Sequence, residues 1–168
     1  VWIAIGNFVL FIIFYIFLIN SSQLFENSWL AKALGKPDIC FNLHDQRTIF
    51  GVSNTGYPAT VSFLAPAYDA TRSYNETRIK AVKWIETIFL TLQKYIPKQI
   101  GRFDDGFNIN CIGDMFQSLG VPTILFEAGH FQDDYQREYT RKMVFISLIS
   151  GLLNFNENDV VFNDLSVY

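Results

Sequence analysis

Short apolar runs that alternate with longer amphipathic segments constrain the fold of this chain more than any other feature of its sequence. Residues 38–43, 59–64 and 123–126 are short and mostly apolar, as strands buried in a sheet are. Between the last two lies a segment whose apolar residues recur at intervals of three or four, namely Ile79, Val82, Ile85, Phe89, Leu92 and Ile96. Strands and amphipathic helices in alternation predict an α/β sandwich.

Helix caps and breakers predict where the other elements begin and end. Ser73 or Asn75 is suited to cap the helix described above, and Pro97 is expected to end it. Further helices are predicted over 20–34, 111–119 and 134–153. The last helix is predicted to bury an apolar stripe, which consists of Met143, Ile146, Ile149 and Leu153. Residues 101–110 are polar and are predicted to be irregular.

Residues 1–19 carry no charge, and only Gly6 and Asn7 interrupt their apolar run. About 20 such residues can span a bilayer as a helix. We expect this segment to be helical and either inserted in a membrane or packed on apolar surface. The alternative is sequence that does not belong to the fold. Residues 20–154 are expected to form the domain and 155–168 a tail.

The start of the chain does not have the features of a signal peptide, which needs a basic first part and a small-residue cleavage site. Because the first residue is Val1 rather than methionine, we expect a processed product or a fragment.

Composition excludes several classes of protein. Half of the residues are apolar and 17% are aromatic, which is not the composition of a disordered chain. The net charge is −3 and no basic cluster is present, so nucleic acid is not an expected partner. Cys40 and Cys111 lie far apart in apolar surroundings, which predicts two buried free thiols rather than a disulfide framework or a zinc knuckle.

Two residues that follow apolar strands are the main candidates for chemistry. Ligand sites of α/β folds gather at the carboxyl ends of strands, where His44 and Glu127 are predicted to lie. A neutral imidazole there can bind zinc, although a hydrogen-bonded structural histidine is the alternative. A partly desolvated carboxylate can act as a general base, or it can pair with an arginine or cap the turn at Gly129. His130, the only other histidine, can support Glu127, bind a substrate carboxylate or simply pack.

Other charged residues are expected to be solvated. Arg78 is predicted to lie mostly off the apolar stripe of its helix, and Asp104 and Asp105 are predicted to be loop charges in water. Residues 101–106 lack the glycine spacing and the lysine of a phosphate-binding loop, and no Gly-x-Ser-x-Gly elbow is present to anchor a serine triad.

Two motifs resemble the C-terminal half of zinc carboxypeptidases. They are residues 42–47 (Asn-Leu-His-Asp-Gln-Arg) and 123–130 (Thr-Ile-Leu-Phe-Glu-Ala-Gly-His). The resemblance extends over about 23–153, and it is nearest to the bacterial branch related to carboxypeptidase A and to succinylglutamate desuccinylase and aspartoacylase. It implies a three-layer α/β/α sandwich on a mixed, mostly parallel sheet, incomplete here at its N-terminal side. It also implies that His44 is a zinc ligand and that Glu127 activates a zinc-bound water for hydrolysis of a peptide or amide bond.

The sequence departs from the family pattern at three places. The two other zinc ligands form a His-x-x-Glu pair, and no such pair occurs in these 168 residues. The arginine that grips the terminal carboxylate of the substrate lies upstream in the family, where this chain has residues 1–19. No tyrosine lies between Ile96 and Glu127 to fill the family's usual position. Arg47 and Arg102 remain as candidates for contact with a substrate carboxylate.

Three functions therefore remain open. The first is a zinc-dependent carboxypeptidase-like hydrolase. The second is its variant that deacylates acylated amino acids. The third is a catalytically inactive fragment or membrane-anchored remnant of the same fold. On this sequence we expect the 168 residues alone to bind zinc poorly, because a catalytic zinc generally needs three protein ligands.

Overall fold

A computed structural model describes residues 37–153, together with two short strands near the start of the chain. In chain order the elements are β1 (Ala4–Ile5), β2 (Phe8–Val9), β3 (Cys40–Asp45), β4 (Val61–Leu64), α1 (Glu76–Leu92), β5 (Ile100–Arg102), α2 (Ile112–Ser118), β6 (Thr123–Ala128) and α3 (Glu138–Leu153). The predicted helix over 20–34 and the tail over 155–168 lie outside the described residues.

The main sheet has four strands in the order β3-β6-β4-β5. β4 and β5 are parallel, with Val61 opposite Ile100. The amides of Cys40 and Gln46 donate to the carbonyls of Pro122 and Ala128, so β3 and β6 also run in the same direction. The protein is therefore a mixed α/β fold with a mostly parallel sheet and, among the described residues, three helices, as the alternation of segments predicts.

β6 and the segment that leads into β4 run in opposite directions. The amide of Gly129 donates to the carbonyl of Thr60, and the amide of His130 donates to that of Ala59. Residue numbers therefore rise along one segment as they fall along the other. Reversed order is the pattern of an antiparallel approach, which makes the sheet mixed. Phe63 and Phe126 of the two strands pack edge to face, with ring centroids 5.1 Å apart.

The chain divides into two compact units, each made of three segments. The first consists of Val1–Leu43, Ala65–Ala81 and Asp105–Leu125. The second consists of His44–Leu64, Val82–Asp104 and Phe126–Tyr168.

The first unit has a small apolar cluster formed by Cys40, Met115, Phe116 and Val121. Burial raises the pKa of the Cys40 thiol to about 12, so this cysteine behaves as an apolar residue. Cys111, in contrast, is exposed just before α2, and the prediction of two buried thiols is wrong for it. The position before a helix leaves its side chain outside the cluster.

Arg78 is fully buried in the first unit, contrary to the prediction that it lies off the core. Its Nε donates to the carbonyl of Ala65 at 3.1 Å and its Nη1 to that of Arg72 at 2.6 Å. Its Nη2 donates to Asp105 Oδ2 at 2.8 Å, so Asp105 is not a solvated loop charge either. The Tyr74 ring lies 4.2 Å from the guanidinium carbon. These partners compensate for the loss of hydration, which allows a charge to be buried.

Helix α1 begins as its caps predict, and its predicted apolar stripe is buried at Val82, Ile85 and Leu92 but only half-buried at Ile79 and Phe89. The Asn75 side chain accepts the amide of Arg78 at 2.9 Å, so Asn75 rather than Ser73 is its cap. Regular α-helix ends at Leu92, before the predicted end at Pro97, although Ile96 is still buried.

Helix α3 in the second unit buries a different face from the one predicted. Of the predicted stripe only Met143 is buried, while Ile149 and Leu153 are exposed. The buried face is made mainly of small residues, namely Thr140, Ser147, Ser150 and Gly151. Small side chains permit another element to approach the helix closely. Ser150 Oγ of α3 donates to Thr91 Oγ1 of α1 at 2.9 Å. Apolar spacing therefore misidentified the inner face.

Strand β5 lies where the sequence predicted an irregular segment. Gly101 is opposite Ser62 in β4. A Cβ at Gly101 would lie 2.6 Å from Ser62 Oγ, so the glycine permits the close pairing of the two strands. Ile100 is the only residue of this strand with a β-branched or aromatic side chain, so the local sequence is a weak strand signal and the pairing with β4 is what defines β5.

The apolar N-terminal segment contains a pair of antiparallel strands. Ala4 is opposite Val9 and Ile5 is opposite Phe8, so the predicted helix is wrong at these positions. The rest of 1–19 lies outside the described residues, and its insertion in a membrane stays a prediction. In the part of the chain that the structure describes, no helix has the length and apolarity needed to cross a membrane.

Candidate functional site

His44 and Glu127 lie side by side in the second unit, at the carboxyl ends of neighbouring strands. His44 is near the end of β3 and Glu127 near the end of β6. His44 Nδ1 is 3.8 Å from Glu127 Oε1. Both residues therefore lie at strand ends, as the sequence predicts. The separation is too long for a hydrogen bond, so neither side chain is locked to the other by this contact.

Glu127 lies in an environment that raises the pKa of its carboxylate. Its side chain is 9% exposed. Burial raises its pKa above the ordinary value, and the negative charge of Asp45 raises the pKa further. A carboxylate with a raised pKa is a stronger base than a solvated one, which suits general acid–base catalysis.

His44 presents a more open imidazole. Its side chain is 48% exposed, and partial burial lowers its pKa. The lowered pKa favours the neutral ring at physiological pH. A neutral imidazole carries a lone pair of the kind that binds a metal ion or a proton.

Arg137 is a residue of this site that the sequence analysis missed. Its Nη2 donates to Asp45 Oδ1 at 2.7 Å and to the carbonyl of Ala128 at 2.6 Å. These acceptors directly follow His44 and Glu127 in the chain. No local pattern around Arg137 indicates the contacts, because its partners lie in two distant segments.

The other predicted contact residues are placed differently relative to this pair. Arg47 is exposed just beyond β3, so it lies in the loop that leaves the same end of the strand. Arg102 ends β5, which is separated from β3 by two strands of the sheet. Arg137 bonds to the ends of β3 and β6, whereas Arg102 lies on a strand that neighbours neither of them. The roles of Arg47 and Arg102 in substrate binding stay predictions.

His130 lies just beyond β6 and is fixed through its backbone. Its amide donates to the carbonyl of Ala59, and its carbonyl accepts the Thr60 hydroxyl at 3.2 Å. Its Nδ1 is buried and has no hydrogen-bond partner within residues 37–153. The roles predicted for the His130 side chain, support of Glu127 and binding of a substrate carboxylate, stay predictions.

Gly129 keeps this end of β6 close to the segment that precedes β4. A Cβ at this position would lie 1.9 Å from the carbonyl oxygen of Ala59, which belongs to the backbone and cannot turn aside. We expect Gly129→Ala to lower the free energy of unfolding by about 2 kcal/mol, since overpacking forces the backbone to shift. Urea unfolding measures the loss.

Gly51→Ala is the matched control, because the nearest atom to a Cβ at Gly51 is 3.8 Å away. Equal stability of the two variants would show that the segments at Gly129 separate easily.

The described residues supply part of a zinc site. His44 is a suitable imidazole ligand, and Glu127 is a nearby carboxylate. Within residues 37–153 no group of three or more His, Cys, Asp or Glu side chains is arranged to hold a metal ion. The described residues therefore do not make a complete catalytic zinc site, which generally needs three protein ligands.

Comparisons with protein-family models, with curated proteins and with solved structures gave no significant match to this chain.

Proposed function

We propose that this chain is the C-terminal part of a zinc-dependent, carboxypeptidase-like hydrolase that cleaves a peptide or amide bond. The observation that supports the proposal most is the pairing of a half-exposed, neutral His44 with a buried Glu127 of raised pKa, 3.8 Å apart at the ends of parallel strands. The proposal includes the complete fold, a three-layer α/β/α sandwich of which these residues form the C-terminal side. The mixed sheet with helices agrees with that architecture.

Each of the two residues has a distinct task in this proposal. His44 is one ligand of the zinc ion. Glu127 takes a proton from the attacking water and delivers it to the departing amine, which its raised pKa favours. Zinc, when bound, supplies Lewis acidity that polarises the carbonyl of the substrate.

The proposal requires two further zinc ligands from outside this chain segment. The only histidines of the 168 residues are His44 and His130, and neither begins a His-x-x-Glu pair. A peptide or an acylated amino acid is the proposed substrate, and its carboxylate would contact Arg47, Arg102 or His130. Membrane contact through residues 1–19 is proposed as an additional property.

Zinc retention tests the assignment of His44. In the protein that joins this chain to a His-x-x-Glu half, we expect His44→Ala to lose its zinc, because two protein ligands hold a catalytic zinc poorly. His130→Ala is the matched control, since it removes the other histidine and is expected to keep about one zinc per chain. Metal analysis after dialysis gives the result. Retention of zinc by His44→Ala would overturn the assignment.

Substrate assays separate the three candidate functions. Release of a C-terminal residue from a peptide supports the carboxypeptidase, and release of an acyl group from an N-acyl amino acid supports the deacylase. A zinc-loaded protein that cleaves neither class favours the inactive remnant.

A further inference from the structure

Arg137 joins the ends of the two strands that present His44 and Glu127. A single guanidinium nitrogen, Nη2, reaches a β3 side chain (Asp45 Oδ1, 2.7 Å) and a β6 carbonyl (Ala128, 2.6 Å). Asp45 directly follows His44 in the chain, and Ala128 directly follows Glu127. Any separation of the two strand ends would therefore break at least one of these hydrogen bonds.

The Ala128 carbonyl is the centre of this connection. Besides Arg137, it accepts the amide of Gln46 at 2.9 Å, and a carbonyl oxygen has two lone pairs for two donors. The backbone bond sets the register of β3 against β6 at their ends. The bond from Arg137 adds a charged donor to the same oxygen, and charged donors make stronger hydrogen bonds than neutral ones.

Arg137 is itself held in place by the start of helix α3. Its amide donates to the carbonyl of Asp134 at 2.9 Å, and its carbonyl accepts the amide of Arg141. The Asp134 carboxylate caps the helix by accepting the amide and the hydroxyl of Thr140 at 2.8 and 3.0 Å. The guanidinium is thus anchored to a rigid element rather than to a loose loop.

The backbone of Arg137 is also unusual. Its φ is +59°, in the left-handed region that residues other than glycine rarely adopt. Such a conformation persists only where the surrounding structure favours it. The residue that makes the contacts to Asp45 and Ala128 is thus held in a conformation that its surroundings must favour.

We propose that Arg137 is a positioning residue that fixes the separation of His44 from Glu127. The inference rests on the proposed function, because it assigns to Arg137 the task of holding a zinc ligand and a general base in register. Arginine suits this task better than lysine, because the two N–H groups of Nη2 have fixed directions in the guanidinium plane, whereas the donors of a lysine ammonium rotate.

Three variants test the role of Arg137 in the zinc-loaded protein. Arg137→Gln removes the charge, Arg137→Lys keeps it, and Arg141→Gln removes an exposed guanidinium that pairs with Glu138. Residues that orient metal ligands typically contribute 10- to 100-fold to activity or metal affinity. We expect Arg137→Gln to lower kcat by about 10- to 100-fold with little change in KM, and Arg137→Lys to recover part of the loss. Arg141→Gln should behave like the wild type.

Hydrogen exchange of the Gln46 amide gives a readout that needs neither zinc nor activity. This amide bonds to the Ala128 carbonyl, so it reports directly on whether β3 and β6 stay together at their ends. We expect its exchange to be at least ~10-fold faster in Arg137→Gln than in Arg141→Gln.

The outcomes separate this inference from the proposed function. Exchange and kcat in Arg137→Gln that match those of Arg141→Gln would overturn the positioning role. So would a loss of kcat that Arg137→Lys does not recover while Gln46 exchange is unchanged. A zinc-loaded wild-type protein that hydrolyses nothing would overturn the proposed function, and Gln46 exchange would then still support or overturn the contact of Arg137 with both strand ends.

Discussion

In the zinc-loaded protein, Glu127→Gln is expected to keep its metal and its fold but to lower kcat by at least ~100-fold, the usual contribution of a general base. Glutamine has nearly the shape of glutamate, so packing at the end of β6 is preserved. It cannot accept a proton from water at neutral pH. The loss should therefore fall on the chemical step rather than on zinc binding.

The measurement compares kcat, KM and zinc content with those of Glu138→Gln. Glu138 is an exposed glutamate of α3 that pairs with Arg141, so its neutralisation should change kcat less than about twofold. An active Glu127→Gln enzyme would show that another group provides the base. Loss of zinc in Glu127→Gln would instead indicate that Glu127 is itself a ligand.

Replacement of Arg78 should cause the largest loss of stability. Arg78→Met keeps a long apolar side chain but leaves the carbonyls of Ala65 and Arg72 and the carboxylate of Asp105 without their buried donor. Breaking a buried ion pair typically costs about 3–5 kcal/mol. We expect a value near the lower end, because the Asp105 side chain is 18% exposed and also pairs with Arg72 at 3.4 Å.

Urea unfolding of Arg78→Met and Arg141→Met gives the comparison. Arg141 is exposed on α3, so its replacement should change the free energy of unfolding by less than about 0.5 kcal/mol. A similarly small effect at Arg78 would mean that its hydrogen bonds only balance the cost of dehydrating the guanidinium, as is found for some buried ion pairs.

Local patterns along the chain predicted the fold class and the two residues at the centre of the candidate site. The apolar runs that end near His44 and Glu127 predict buried strands, and buried strands of an α/β sheet place their carboxyl ends at one edge. The helical spacing likewise predicted the buried residues Val82, Ile85 and Leu92 of α1. These signals are local, because each depends only on which side of one element faces the core.

Other features depend on partners far apart in the chain, and local patterns did not predict them. Arg137 reaches acceptors on two strands, β5 is defined by its pairing with β4, and α3 turns mainly small residues inward. Arg78 is buried because carbonyls and Asp105 surround it. The periodicity of a sequence indicates how apolar one face of an element is. It does not indicate which atoms surround that face, and those atoms decide whether a buried charge, a short strand or a face of small residues is stable.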